Sequence, residues 1–407
     1  MIYLVKGIIT MKCLSSLRTI LSRVPDPRQL AKVRHPLPAM MLQACLATAG
    51  GSRGPTAIAQ WGVLHAELGP VLGYPGTSMA SAPTFSRVFR ALDWECLVRR
   101  IQEWVETRLA QTEKVTGVAL ALDGKTLRGS KKRGAIDTHV LTAVIHGIGV
   151  TLAEWAVDEK TNEIPVAQKL LSTLCLENRV VTGDALLTQK KLTATIRERK
   201  GDYVMPVKDN HPSVRRDLRQ LFAEYDREDK RARGSKNTRP AVAVYAALGV
   251  EVSAAETCER NRGRQERRRI TVMAADDGYF SSLIDWSTVR QVYRLEREVT
   301  RRGGNTEREV EVGITSLDPV TANAERLLDL RRGHWHIENK VHYVRDVTYD
   351  EDRSQVRCGV APKVFATIRS LVIGLLSQTE HLSVPAANRE FLVYPTRALP
   401  LFGLPVS

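Results

Sequence analysis

Two short apolar runs that each stop on an aspartate constrain this chain more than any other feature. The first is Val118-Ala119-Leu120-Ala121-Leu122-Asp123, continued by Gly124-Lys125-Thr126. The second is Arg179-Val180-Val181-Thr182-Gly183-Asp184. Runs this short and this apolar read as central strands covered on both faces. The carboxyl ends of such strands are where an α/β sheet presents reactive groups. A turn is the alternative for the first run, since Asp-Gly is common punctuation after a strand. The strand reading makes Asp123 the residue around which the chain is organised.

The segments around these runs predict an α/β order. Strands are expected over residues 118–122, 137–146 and 151–157. A helix follows from Asn162, its expected cap, through Leu174. The strand closing on Asp184, a helix over residues 188–199 and a strand over 202–207 ending on Lys208 complete the order. Three strands, helix, strand, helix, strand is the order of a ribonuclease-H-like domain, in which the first and fourth strands lie side by side. In that arrangement Asp123 and Asp184 emerge together; the warrant is fold-level analogy.

A third element supplies a carboxylate. Residues 323–345 predict one amphipathic helix with Leu327, Leu330, Ile337, Val341 and Val344 as its buried stripe. Arg331, His334, Glu338, His342 and Arg345 recur at spacings of three and four, which places them on a second, polar face. A single carboxylate flanked by Arg and His suits an acidic ligand among phosphate-gripping cations.

The remaining segments frame this core. Residues 1–13 form an extension, and residues 14–112 an all-α domain. Its helices over 56–67 and 84–92, the latter with Thr84 as cap, could form a DNA-reading pair. The loop between them is longer than such a motif uses, so a structural cap is the competing reading. Residues 113–378 form the catalytic domain. Within it 227–318 is a β-rich insertion, opened by a charged linker over 227–240 and including β-like runs at 241–247, 269–275, 289–299 and 307–315. Arg302-Gly303-Gly304-Asn305 is a hairpin signal. The basic turn around Arg264 could touch phosphate or be a solvated hairpin end. Residues 379–407 are expected as a tail.

Composition narrows the partner. The 60 Lys and Arg against 45 Asp and Glu give a net charge of +15, which favours a polyanion, nucleic acid before anionic membrane. That balance argues against the glycosidase that any Asp pair could suggest. Six cysteines are scattered without a C-x-x-C, which fits a reducing cytoplasm and suggests no zinc site. No signal-peptide pattern opens the chain, and no uncharged run nears the ~20 residues of a spanning helix.

Strand cleavage and transfer need an in-line displacement at phosphorus, which two divalent metals can assist. Hard Mg²⁺ takes carboxylate oxygens and keeps waters, so a few acidic residues suffice. Asp123 is expected to bridge two Mg²⁺ ions, Asp184 to complete one and Glu338 the other, with Mn²⁺ a possible substitute. Gly124 is expected to let metal and scissile phosphate come close, and Lys125 to contact phosphate.

These residues carry a resemblance. Leu122-Asp123-Gly124-Lys125-Thr126-Leu127-Arg128-Gly129-Ser130 resembles the first acidic motif of bacterial insertion-sequence DDE transposases of the H-repeat-associated (ISAs) type. Lys160-Thr161-Asn162-Glu163-Ile164-Pro165, Tyr203 to Asn210, and the long run His334 to Val347 followed by Glu351-Asp352 are similar to further segments of that family. Pro25-Asp26-Pro27-Arg28 and residues 84–93 resemble its associated helical domain. The resemblance implies a ribonuclease-H-like core, Mg²⁺ dependence, and cutting and transfer of the element's own double-stranded DNA ends, with terminal inverted repeats and target DNA as partners. It further implies DNA contacts at Lys125, Lys208, Arg264, Arg331, His334, Asn339 and Arg345, a homodimer, and a cytoplasmic, nucleoid-associated location. A metal-dependent nuclease on the same fold and an inactive DNA-binding remnant are the alternatives. Against the tyrosine-arginine-glutamate-lysine signature of related transposases, His334 stands where arginine would and Arg345 where lysine would. Gly183 stands where the family usually has an apolar residue.

Overall fold

Aliphatic residues at helical spacing fill the amino-terminal part of the chain, and short apolar runs rich in β-branched residues replace them beyond it. A computed structural model describes residues 16–110, 118–128, 138–146, 149–157, 163–234, 241–247, 249–261, 263–275, 278–335 and 337–406. Helices α1 (Leu17–Leu21), α2 (Leu37–Ala49), α3 (Pro55–Leu64), α4 (Gly69–Leu72), α5 (Ala82–Phe89) and α6 (Trp94–Ala110) come first. Strands β1 (Ala119–Leu127), β2 (Thr138–Ile145) and β3 (Thr151–Val157) follow, then α7 (Glu163–Thr173), β4 (Val180–Thr182), α8 (Lys190–Glu198) and β5 (Asp202–Val207). Next are α9 (Pro212–Gly234), α10 (Ala241–Ala247), β6 (Val252–Asn261), β7 (Arg264–Ala274), β8 (Gln291–Arg301) and β9 (Thr306–Thr315). Helices α11 (Ala324–His334), α12 (Tyr343–Val347), α13 (Ala361–Leu376) and α14 (Val384–Val393) close the order. The protein is a mixed α/β chain with a large sheet. No described helix is long and apolar enough to cross a membrane.

Contacts divide the chain into two compact units. One comprises Met1–Val115, Asp123–Val166 and His336–Ser407; the other comprises Thr116–Leu122 and Ala167–Trp335. In the first, α2 is buried along nearly its whole length, because its small and aliphatic residues leave no polar face. It packs against α1, α3, α4, α13 and α14. Strands β2 and β3 pair antiparallel, and α6 and α13 cover β3. The carboxyl half of β1 lies beside β2.

In the second unit the sheet runs β1-β4-β5-β9-β8-β7-β6, with β1 represented by its first half. The β1–β4 and β4–β5 pairs are parallel, and every later pair is antiparallel. Helix α11 lays Leu327, Leu328 and Leu330 on a core with Val180, Val204, Ile270, Val272 and Tyr293. Asn323 caps that helix, its side-chain oxygen accepting from Arg326 N at 3.0 Å.

Several expectations are corrected. Strand β1 does not stop at Asp123 but continues to Leu127. Its polar residues are satisfied inside the fold, Lys125 by Asp346 and Thr126 by His139, so the strand need not end where polarity begins. Residues 241–247 are helical, in keeping with their alanine content. Residues 227–234 extend α9, with an Arg231–Glu228 pair one turn apart. β6, polar enough to have escaped notice, pairs along its length with β7. Ser81, not Thr84, stands at the N-cap of α5. Residues 379–407 carry α14 and the 3₁₀ helix Pro395–Phe402, which buries Leu399 and Phe402. Asn162, the expected cap of α7, lies outside the described residues.

The largest correction concerns residues 323–345. The expected single helix ends at His334. A wider π-helical turn, Ile337–His342, then leads into α12. Ile337 and Val341 are buried as expected, but Arg331, His342 and Arg345 are buried too, while Glu338 is exposed. These residues do not form one solvent-facing stripe.

Candidate active site

Alternation along β1 decides what surrounds Asp123. Asp123 and Lys125 share one face of the strand, Gly124 and Thr126 the other. Asp123 Oδ1 accepts from Gly124 N at 2.9 Å, and its Oδ2 lies 3.3 Å from His342 Nδ1. Two residues on, Lys125 Nζ meets both oxygens of Asp346, at 2.7 and 2.6 Å. The π-helical turn and α12 thus supply partners for both side chains. His342 is buried, and its Nε2 has no hydrogen-bond partner among the described residues. Glu338, Asn339 and Lys340 form the exposed part of the same turn.

Arg345, expected at phosphate, is wholly buried. Its Nε donates to Glu351 Oε1 at 2.8 Å and its Nη1 to Ser370 Oγ at 3.3 Å. Arg369 Nη1 meets the other oxygen of Glu351 at 2.8 Å, and Glu154 completes the group. An arginine enclosed by two glutamates serves the fold, and no face of it is left for DNA.

In the second unit β4 ends at Thr182 and the chain turns through Gly183 to an exposed Asp184. Asp184 Oδ1 accepts from Leu187 N at 3.0 Å, so the carboxylate shapes its own turn. The register pairs Ala121 with Thr182. In sequence Asp123 and Asp184 each follow these paired residues by two positions. Arg331 grips Glu311 through Nε and Nη2, at 2.9 and 3.0 Å, and Nη1 donates to Gly183 O at 3.3 Å. Burial opposes its charge, but Glu311, with Tyr293 and Asp184, more than offsets this, and its pKa is raised. His334 Nδ1 lies 3.1 Å from Thr182 Oγ1, whose hydroxyl also donates to Leu120 O at 3.3 Å. Arg331 and His334 therefore brace the strand end before Asp184.

Lys208, just past β5, is exposed. Asn210 accepts from Lys208 N at 3.2 Å and donates to Thr188 O at 3.2 Å, tying the end of β5 to the Asp184 turn. Arg264 meets Glu266 at 3.0 Å. Further along β7, Arg267 meets Glu256 and Arg268 meets Glu266. The densest basic run in the sequence is thus laced with glutamates, Glu266 from its own strand and Glu256 from β6, and much of its charge is neutralised.

The acidic residues suit a divalent cation by kind. All three are carboxylates, the hard oxygen donors that Mg²⁺ takes; Asp123 is half-buried, and Asp184 and Glu338 are exposed. Among the described residues, no three His, Cys, Asp or Glu side chains gather into a metal-type group. Glu311 was not singled out from sequence, because its partner Arg331 lies on a different element.

Comparison with known proteins gives matches over most of the chain. Residues 18–105 match a family described as DDE_Tnp_1-associated, and residues 116–375 match one described as Transposase DDE domain. The "H repeat-associated putative transposase YhhI" of Escherichia coli (strain K12) is 27% identical over 375 residues, covering 89% of this chain and 91% of that protein. The "Putative transposase YncI" of Escherichia coli O157:H7 is 26% identical over 373 residues, covering 89% and 87%. Among solved structures, a piggyBac transposase synaptic complex with hairpin DNA aligns at 12% identity and a TM-score of 0.38, covering 92% of this chain and 75% of that one. A score that low carries no argument.

Proposed function

The chain belongs to the family defined by the transposase DDE domain, and from that premise we propose that it cuts and transfers the ends of its own insertion element on a ribonuclease-H-like core. One observation carries the reading. Ala121 and Thr182 are paired on adjacent parallel strands, and an aspartate follows each by two residues. That pairing supports reading the two aspartates as members of one acidic set. Within the second unit the order β1-β4-β5, with both pairs parallel, supports the core. Glu338, exposed on the turn whose His342 touches Asp123, is the third carboxylate.

Asp123, Asp184 and Glu338 would hold two Mg²⁺ ions, which supply activation of the attacking oxygen and stabilisation of the leaving one. The chain's own residues do the rest. His342 and the Gly124 N–H orient the Asp123 carboxylate. Arg331, anchored on Glu311, holds the carbonyl that precedes Asp184. Lys208, Asn339 and His334 contact phosphate of double-stranded DNA at the terminal repeats and the target. Arg345 has no part in that contact. Lys125, held by Asp346, serves to fix β1 against α12. The departure at Gly183 is harmless to the turn: an added Cβ would lie 3.4 Å from Leu187 and 3.8 Å from Met205, ordinary contacts. A homodimer is the expected working state.

The test is cleavage of duplexes that carry the element's ends, with Mg²⁺ or Mn²⁺. Asp123→Asn, Asp184→Asn and Glu338→Gln should bind those duplexes and leave them uncut. Cutting at the parent's rate by any of the three removes that residue from the site. Joined products distinguish transfer from a nuclease; duplex binding without any metal-dependent product marks an inactive remnant.

A further inference from the structure

On the face of β1 opposite Asp123, the Glu163 carboxylate and the His139 ring meet over glycine. Glu163 is the first residue of α7 and His139 lies on β2. His139 Nε2 is 2.6 Å from Glu163 Oε1, and Nδ1 is 3.0 Å from Thr126 Oγ1. Against the carboxylate Nε2–H is the donor, and Nδ1 shares the second contact with the Thr126 hydroxyl. A Cβ on residue 124 would lie 2.5 Å from His139 Nε2 and 2.7 Å from Glu163 Oε1. The pair therefore rests directly on the Gly124 backbone, and no larger residue fits. The N–H of that same glycine donates to Asp123 Oδ1.

The contacts run in series: Glu163 fixes His139, His139 is tied to Thr126, both side chains bear on Gly124, and Gly124 N–H holds one oxygen of Asp123. Packing alone would be served as well by two apolar side chains, without the cost of desolvating a carboxylate. We propose that His139 and Glu163 are positioning residues that clamp the Asp123–Gly124 peptide and so hold the Asp123 carboxylate in one orientation toward its cation. The proposal rests on the reading of Asp123 as a metal-holding carboxylate. It also gives Gly124 a role other than close approach of the metal: the glycine makes room for the clamp.

The experiment uses the full chain with Mn²⁺ as probe, its binding read from the electron paramagnetic resonance signal of the free ion. Duplex binding and cleavage are measured in parallel. His139→Ala and Glu163→Ala should weaken Mn²⁺ binding about tenfold or more, the range found when partners behind metal ligands are removed, while duplex affinity stays at the parent value. Glu163→Gln keeps an acceptor for Nε2–H and should recover most of the Mn²⁺ affinity that Glu163→Ala loses. Gly124→Ala should behave like His139→Ala. If His139→Ala fails to fold, the Glu163→Gln and Glu163→Ala pair carries the test. Parent-level Mn²⁺ binding in both alanine variants overturns the clamp and leaves the reading of Asp123 standing. Parent-level Mn²⁺ binding by Asp123→Asn, or none by the parent, overturns that reading and the clamp with it.

Discussion

Glu351→Gln should destabilise the first unit by about 3 kcal/mol, a figure that follows from the buried charges around it. Glu351, Glu154, Arg345 and Arg369 are each no more than 4% exposed. They amount to two anions and two cations, so the group is neutral as a whole. Glutamine keeps the shape and the acceptor oxygen but leaves one positive charge uncompensated, a change that typically costs ~3–5 kcal/mol in a buried site. A second route gives a similar figure. Burial pushes the Glu351 carboxyl up, but Arg345 and then Arg369 bring it down from 4.5 to about 2. At ~1.4 kcal/mol per unit, that displacement corresponds to roughly 3 kcal/mol. Because the folded pKa lies below the unfolded one, this stability is fully present above about pH 4.5. It is lost progressively as pH falls toward about 2. Hydrogen exchange of peptides over residues 343–376, with urea midpoints across pH 2 to 7, measures both effects. The glutamine variant should exchange faster at pH 7 and lose the parent's added acid sensitivity in that window. A glutamine variant within about 0.5 kcal/mol of the parent, the scale of an ordinary surface change, would refute the charge argument.

Three further outcomes follow from the same kind of reasoning. Arg264→Ala and Arg267→Ala should leave duplex affinity and its salt dependence almost unchanged, because glutamates already neutralise these arginines; gel-shift titrations at several salt concentrations decide this. Arg87 and Arg90 are exposed at the end of α5, with no ion-pair partner among the described residues. If α5 meets the duplex, alanine at each should lower the log-log salt slope by about one, and an unchanged slope removes α5 from the contact surface. Gly313→Ala on β9 should cost ~1–3 kcal/mol by overpacking, since its added Cβ would overlap the Tyr293 ring and hydroxyl; thermal unfolding at parent temperature would count against it.

Local patterns were readable where local forces suffice. The strands Thr151–Val157 and Asp202–Val207 fall on the expected residues. The Gly303-Gly304 hairpin joins β8 and β9, both glycines having positive φ. Helix ends were less legible: Ser81 and Thr84 are chemically alike as caps, and only the path of the chain chooses between them. Ala241 to Ala247 alternates weakly enough to suggest a strand, yet helix propensity prevailed. The break after His334 left no mark in the apolar spacing, because Ile337 and Val341 remain buried through the wider turn.

The candidate carboxylates could be named from sequence because each sits beside a strong local signal, an apolar strand or an amphipathic turn. Which cations stay available to DNA could not. Lys125, Arg331 and Arg345 look like phosphate contacts in one dimension, and their neighbours along the chain do not contradict that. Asp346, Glu311 and Glu351 settle the matter by burying and pairing them. The same holds for Gly124, whose small size reads as a turn signal until His139 and Glu163 are seen above it. Secondary-structure type follows from short-range periodicity and solvation, which a single segment carries within itself. The protonation, exposure and orientation of a side chain depend on charges and atoms brought from distant segments, and tertiary packing alone decides them.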